Sequence, residues 1–385
     1  MNKRLLAVLI AVCLVIVGVA VFFIIRNSPK KASEDDTTAE TEETTREPDV
    51  TEPAADNSEP QYINPLTGLG TETDVSKLRP VSIMVNNIYQ SLPQEGVSQA
   101  DILYECLAEG GITRLMLISN DYEKLGQIGS VRSARDYYID YAESYNCIFI
   151  HAGGSDYAYD TFANRGTDHI DGVRGSAALY NTTETFVRDP ERLKKYSSEH
   201  TLMVKSGAGI KAGIEYMKIP AEKAAGYEKP MNFAKWGTDV SLSDKANHAK
   251  VVMSSYQTVD YVYSSANKGY LRYQYNGERH IDSTTGEQLC FRNVIVMFTE
   301  MGAIPNDAKS RIWINTTGEG SGWYITDGGY KKITWKKENH ASPISYYYED
   351  GTEVELNRGK TMINVVPSYN SGDIVFDNSF TDTAD

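Results

Sequence analysis

The chain has 385 residues, 41% hydrophobic and 23% charged, enough for one large or two ordinary domains. Its 38 Lys+Arg against 52 Asp+Glu give a net charge of -14, which excludes the basic surface that non-specific nucleic-acid binding needs. Acid concentrates at the ends, with 11 acidic against 6 basic residues in positions 1–60 and 4 acids without a base from Ser368 onward, so the remainder is too mildly charged to point to a partner.

Leu5 to Ile25 is an uninterrupted apolar run of 21 residues between Lys3-Arg4 and Arg26. At about 1.5 Å per residue it spans a bilayer core of about 30 Å. A secretory signal has a shorter apolar core, and Val21-Phe22-Phe23-Ile24-Ile25 follows directly on the small residues Gly18-Val19-Ala20. The expectation is a transmembrane anchor over 5–25, with residues 1–4 cytoplasmic and the rest extracytoplasmic. Its partner is the lipid bilayer. A lipidation signal at Cys13 would need a small residue before it, and Val12 stands there. Residues 26–60 are rich in Glu, Asp, Thr and Pro, with Val50 the one large apolar residue after Ile25 and Arg26. Such a stretch cannot bury enough surface to offset its ordering entropy and reads as an acidic, disordered linker.

The folded part is expected to be α+β, with a layered sheet-and-helix domain over 61–225, a mostly antiparallel β domain over 226–367 and an acidic tail over 368–385. Val81 to Asn87 reads as a strand. Ala100 to Asn120 reads as a hairpin about a two-residue Gly110-Gly111 loop. That register sets Glu109 opposite Ile112 and Leu107 opposite Arg114, and projects Glu105, Glu109 and Arg114 from one face. Apolar positions 131, 134, 138, 141, 142 and 145 predict a helix from Val131 to Tyr145, with Ser130 as its cap. Cys147 to His151 is a short buried strand, followed by Gly153-Gly154-Ser155 and a second helix. Thr201 to Val204, then Ser206, repeats strand, loop and helix. From Tyr227 onward, alternating Tyr-rich runs separated by glycine turns predict antiparallel strands. The 26 tyrosines suit a large sheet with one solvated face. Cys106, Cys147 and Cys290 lack metal-ligand spacing and read as buried free thiols.

Several motifs follow one another in order: Arg79-Pro80-Val81 with Asn86, Ala100-Asp101-Ile102-Leu103-Tyr104-Glu105, Glu109-Gly110-Gly111-Ile112-Thr113-Arg114, Gly129-Ser130-Val131-Arg132-Ser133-Ala134-Arg135 and His151-Ala152-Gly153-Gly154-Ser155. Together they resemble the YerB-like family, bacterial envelope lipoproteins catalogued mainly as a domain of unknown function. Asn293 to Val296, Gly318 to Gly322 and Gly359-Lys360-Thr361 resemble its second, β-rich domain. The resemblance covers roughly 62–367. It implies a layered α+β fold and an extracytoplasmic location, and supplies no catalytic residues.

Three constellations are candidates for chemistry. Arg132 and Arg135, three apart at a helix start with Ser133 between them, would share one face suited to a phosphate or carboxylate; the structural alternative is ion pairing of Arg132 with Asp136 and of Arg135 with a hairpin carboxylate. Glu105 and Glu109 beside Arg114 would do acid–base work if burial raised one carboxyl, or form a charged cross-strand lattice. His151 with Gly153, Gly154 and Ser155 is a strand end beside a glycine turn, a common place for a site, or a purely structural turn. No P-loop, dinucleotide fingerprint or HExxH motif occurs, so no cofactor or metal is expected. The reading is a binding module whose cleft, lined by Arg114, Arg132, Arg135 and His151, takes an anionic envelope component or protein partner. The alternative is a hydrolase of an envelope polymer or phosphoester using Glu105 or Glu109 with His151.

Overall fold

The protein is described by a computed structural model for residues 58–385, except 176–179, 181–182, 224–226, 228–230, 276 and 382–385. The anticipated membrane anchor over 5–25 and most of the acidic linker lie outside the described residues. Among the described residues no helix is long and apolar enough to cross a membrane.

The core is one mixed sheet of eleven strands. In chain order these are β1 (Val81–Asn86), β2 (Ile102–Leu107), β3 (Thr113–Ser119), β4 (Ile148–His151), β5 (His169–Asp171), β6 (Asp244–Lys245), β7 (Asn293–Thr299), β8 (Gly318–Thr326), β9 (Gly329–Lys337), β10 (Ser345–Tyr347) and β11 (Thr361–Pro367). Their order across the sheet is β6-β9-β8-β7-β11-β2-β3-β1-β4-β5, with β10 on β9. Strand β11 sits parallel between β7 and β2, so strands from both sides of residue 226 share one sheet. Every residue of β1, β2, β3, β7 and β11 is buried. Their near-continuous apolar runs are what a strand covered on both faces requires.

A second sheet is antiparallel, built on His248–Val252, Thr258–Ser264 and Gly269–Gln274. Within the stretch read as an acidic tail, Val375–Asp377 pairs with this sheet, His248 facing Asp377. Phe376 also stacks on Tyr330 of β9, with ring centroids 3.8 Å apart.

Four helical features matter for the site. Helix α1 is Asp136–Glu143, α2 is Asp156–Arg165 with Ser155 as its cap, and α3 is Gly207–Met217 with Ser206 as its cap. A single helical turn spans Pro190–Leu193. Helices α2 and α3 follow their short strands in the strand, loop and helix order that the sequence predicts. The start of α1 differs. Its N-cap is Arg135, and Ser130 does not cap it; residues 130–135 are held extended by backbone bonds to β1 and to the 152–155 turn.

The hairpin is present, but its register differs by one residue. Leu107 faces Thr113 and Cys106 faces Arg114, because the chain turns through a helical turn at Glu109–Gly111 and not a two-residue loop. Since strand faces alternate, Arg114 shares a face with Cys106, and Glu105 points to the other. The tyrosines differ too. Tyr104, Tyr137, Tyr138, Tyr141, Tyr145, Tyr261, Tyr270 and Tyr324 are buried. Two of their hydroxyls tie α1 to the sheet: Tyr137 donates to the Leu107 carbonyl at 2.8 Å and Tyr138 to that of Arg114 at 2.6 Å. Cys106 and Cys147 are buried free thiols as expected, while Cys290 is half-buried.

Candidate functional site

Strands β1, β4 and β5 run parallel, so Asn86, His151 and Asp171 end at one edge of the sheet. In open α/β sheets this carboxyl edge is where strands part and ligands bind. Strand β4 pairs with only the first half of β1. Beyond it the Ser130–Arg135 segment wedges between them. Arg132 N–H donates to the Met84 carbonyl at 2.9 Å, Asn86 N–H to Ser130 at 2.9 Å, Ala152 N–H to Arg132 at 3.0 Å and Ala134 N–H to Gly153 at 2.9 Å.

This wedge brings three arginines together. Arg114, at the start of β3, donates from Nη1 to the Ser133 carbonyl at 2.7 Å and lies 3.5 Å from Glu109 Oε2. Arg135 Nε contacts Glu109 Oε1 at 2.5 Å, and its Nη1 donates to the Ala134 carbonyl at 2.7 Å. Arg132 Nη1 reaches both the carbonyl and Oε2 of Glu199 at 3.2 Å, while its Nε is buried without a partner. Burial alone would raise the Glu109 carboxyl, but Arg135 and Arg114 outweigh it and hold the group below the usual carboxylate range. Burial, with repulsion from Arg135, pulls Arg114 down to about 10. Glu109 is thus a clamp between Arg114 and Arg135. Glu199 differs, for its side chain is 61% exposed. The anticipated pair of Arg132 with Asp136 does not form among the described contacts, and Arg132 and Arg135 precede the helix instead of sharing its face.

His151 is fully buried. Its Nδ1 meets the Gly153 carbonyl at 2.7 Å and its Nε2 meets His169 Nδ1 at 2.9 Å. Burial pulls its pKa down to about 4, against the attraction of Asp171, and His169 is lowered by burial as well. Phe162 stacks on both rings. Asp171 accepts from Gly153 N–H at 2.8 Å, Val173 N–H at 2.9 Å and the Tyr159 hydroxyl at 2.6 Å. Gly153 has φ +72°, the left-handed region that glycine enters without strain. Ser155 Oγ accepts from Ala158 N–H, and Ser133 Oγ donates to the Ala152 carbonyl at 3.0 Å. Neither ring nitrogen of His151 faces a nucleophile, and the Gly153-Gly154-Ser155 turn is spent on fixing the wedge and starting α2.

Glu105 is elsewhere. Fully buried on the other face of β2, it takes a hydrogen bond from Arg272 Nη2 at 2.6 Å, and others from Thr113, Asn87, Gln257 and Asn364. Among the described residues it shares no partner with Glu109 or His151. Glu105 therefore does not join His151 as an acid–base pair, and Glu109, the alternative carboxylate, is ion-paired to Arg114 and Arg135. The arginines and the glycine turn converge.

Sequence reasoning missed His169, Asp171, Glu199 and His200. His169 and Asp171 stand two apart in a three-residue strand and so share a face, a pattern too short to register. His200 Nδ1 meets Asn86 Nδ2 at 2.9 Å, a contact over 114 positions with no local signal. Burial and then Arg132 lower the His200 pKa, so the rim's basic character rests on arginine.

Two family profiles match, each described as a protein of unknown function (DUF3048), the N-terminal domain over residues 66–217 and the C-terminal domain over 249–363. A putative lipoprotein YerB from Bacillus subtilis is 29% identical over 317 residues, covering 80% of this chain and 88% of that protein. The crystal structure of YerB from Bacillus subtilis superposes with a TM-score of 0.67 at 27% identity, covering 79% of this chain and 96% of that one. With both domains matched in order and the fold shared, the chain belongs to the YerB-like family.

Proposed function

We propose that the chain is a single-pass, membrane-anchored protein of the bacterial envelope, and that its folded part is a binding module. The anchor is the Leu5 to Ile25 run, which is long enough to span. The relative's description as a putative lipoprotein favours an extracytoplasmic, membrane-attached body by either kind of anchor. The bound partner is an anionic envelope component or an acidic segment of an envelope protein, and it docks on the Arg114, Arg132 and Arg135 rim.

One observation carries this reading: among the described residues the Arg132 side chain is held only by the exposed Glu199 side chain and that residue's carbonyl, and it keeps a buried Nε without a partner. Three guanidinium groups face two carboxylates, one of them displaceable. Arginine presents a planar fork that fits phosphate and carboxylate oxygens. A hydrolase reading would need an acid–base pair in reach of the rim, and the candidate carboxylates are committed as ion-pair clamps.

The test is a thermal-shift screen of the full chain in detergent micelles against poly(glycerol phosphate), poly-L-glutamate and neutral glycans. An anionic polymer is expected to raise the melting point of wild type and not of Arg132→Ala. Equal shifts for both proteins, or a response to neutral glycans alone, would refute the rim as the site.

A further inference from the structure

A second cationic site lies at the other end of the sheet. Thr361 of β11 pairs with Ile102 at the start of β2, while the arginine rim adjoins the far end of β2 at Leu107. Beside that start, Asp239, Lys268, Cys290, Arg292, Arg358 and Lys360 line a cavity of about 480 Å3. Arg292 is committed, with Nη2 at 2.9 Å from Asp239 and Nη1 at 3.3 Å from Asp327. Among the described residues no carboxylate lies within ion-pair distance of Lys268, Arg358 or Lys360. Lys268, Arg358, Lys360 and Arg292 against Asp239 and Asp327 leave a local charge of +2; Asp101, which also attracts Lys360, lines a neighbouring cavity and not this one.

Arg358 and Lys360 are held in place. Arg358 Nη1 donates to the Gly68 carbonyl at 2.7 Å, and its guanidinium lies over Trp236 at 5.1 Å. Its Nε is buried without a partner. Lys360 Nζ donates to the Ser98 carbonyl. Gly359, at φ +145°, has no room for a side chain, since a Cβ would sit 2.5 Å from Arg292 Cβ. That close approach packs the base of the Arg292 side chain against the backbone between Arg358 and Lys360.

We propose that this cavity binds a phosphate monoester. Such a group carries a charge of about -1.5 to -2 at neutral pH, matching the local +2, and its oxygens suit guanidinium forks and ammonium groups. A diester, with a single negative charge, leaves half of that charge uncompensated. The site does not depend on the arginine rim, and Cys290 reports on it locally. Cys290 is the half-buried thiol of the three described cysteines; burial raises its pKa, and Lys360 opposes the rise.

The test is alkylation of the full chain in detergent micelles by iodoacetamide, read at the Cys290 peptide by mass spectrometry. Glycerol 3-phosphate at up to about 10 mM is expected to slow Cys290 alkylation about threefold or more at matched ionic strength. Inorganic phosphate is expected to do the same, and dimethyl phosphate is not. Arg358→Ala and the exposed Lys268→Ala are both expected to lose the protection; Lys268→Ala is the second variant because its side chain makes no ion pair the fold needs. Unchanged alkylation with glycerol 3-phosphate and inorganic phosphate, equal protection by dimethyl phosphate, or full protection in both variants would overturn the proposal.

Discussion

Arg272 Nη2 lies 2.6 Å from Glu105 Oε2, and both side chains are wholly removed from solvent. The pair joins the second sheet to β2. Arg272 also donates to Gln274 at 2.9 Å and meets His280, whose other nitrogen meets Gln94 at 3.0 Å. Removing one partner leaves an uncompensated buried charge, which costs about 3–5 kcal/mol. Arg272→Met and Glu105→Leu are each expected to lose that much in urea unfolding. The double variant Glu105→Leu/Arg272→Met should lose clearly less than the two singles added together. Additive losses would mean the pair is not coupled.

The arginine rim should separate by burial. Arg114→Ala removes the donor to Ser133 and the clamp on Glu109, at a cost of about 2–4 kcal/mol. Arg132→Ala breaks a contact with a largely exposed glutamate, worth about 0–1 kcal/mol. Denaturant midpoints of the two variants check the ordering, and a larger loss for Arg132→Ala would contradict it.

His248 lies between Asp377, 2.8 Å from Nδ1, and Asp260, 2.9 Å from Nε2. Burial disfavours the charged ring, but the two carboxylates outweigh it and raise the pKa above the ordinary histidine value. A raised folded pKa stabilises fully below the unfolded value of about 6.5. That contribution is lost as pH rises through the folded value. The stability gap between wild type and His248→Gln should therefore be wider near pH 6 than near pH 9. Hydrogen exchange at Val375–Asp377 should quicken over the same window. A gap that widens with pH would show the wrong sign.

Much of this was legible in sequence. The caps Ser155 and Ser206 and the buried runs of β1, β4, β7 and β11 carry their signals locally, in residue type and spacing. The hairpin register was not. One residue of slip flips every side chain to the other face, so placing the turn at Gly110-Gly111 put Glu105 on the side of Arg114 when it belongs with Arg272. The start of α1 failed for a related reason. Val131 and Ala134 fit a helical stripe, yet both are buried in an extended wedge whose bonds run to Leu202 and Gly153, and no local pattern encodes partners so far along the chain. Tyrosine abundance misled by composition: Tyr137, Tyr138 and Tyr145 are buried against the sheet with hydroxyls that find backbone or side-chain partners, and Tyr261 and Tyr324 bond to Asn364 and Asn293 between strands.

The anchor is testable in cells. With a tag at the C-terminus and expression in a bacterial host, added protease should digest the body in spheroplasts without lysis, and carbonate washing should leave the protein in the membrane pellet. A body protected until lysis would place it in the cytoplasm.

The rim as a docking site for an anion is decided by the affinity of the full chain for poly(glycerol phosphate), measured for wild type, Glu199→Gln and Arg132→Ala. Glu199 competes with the ligand for Arg132, so Glu199→Gln is expected to bind about threefold to tenfold more tightly and Arg132→Ala about tenfold more weakly, opposite shifts from the two halves of one ion pair. Affinities that are the same for all three proteins would contradict the assignment.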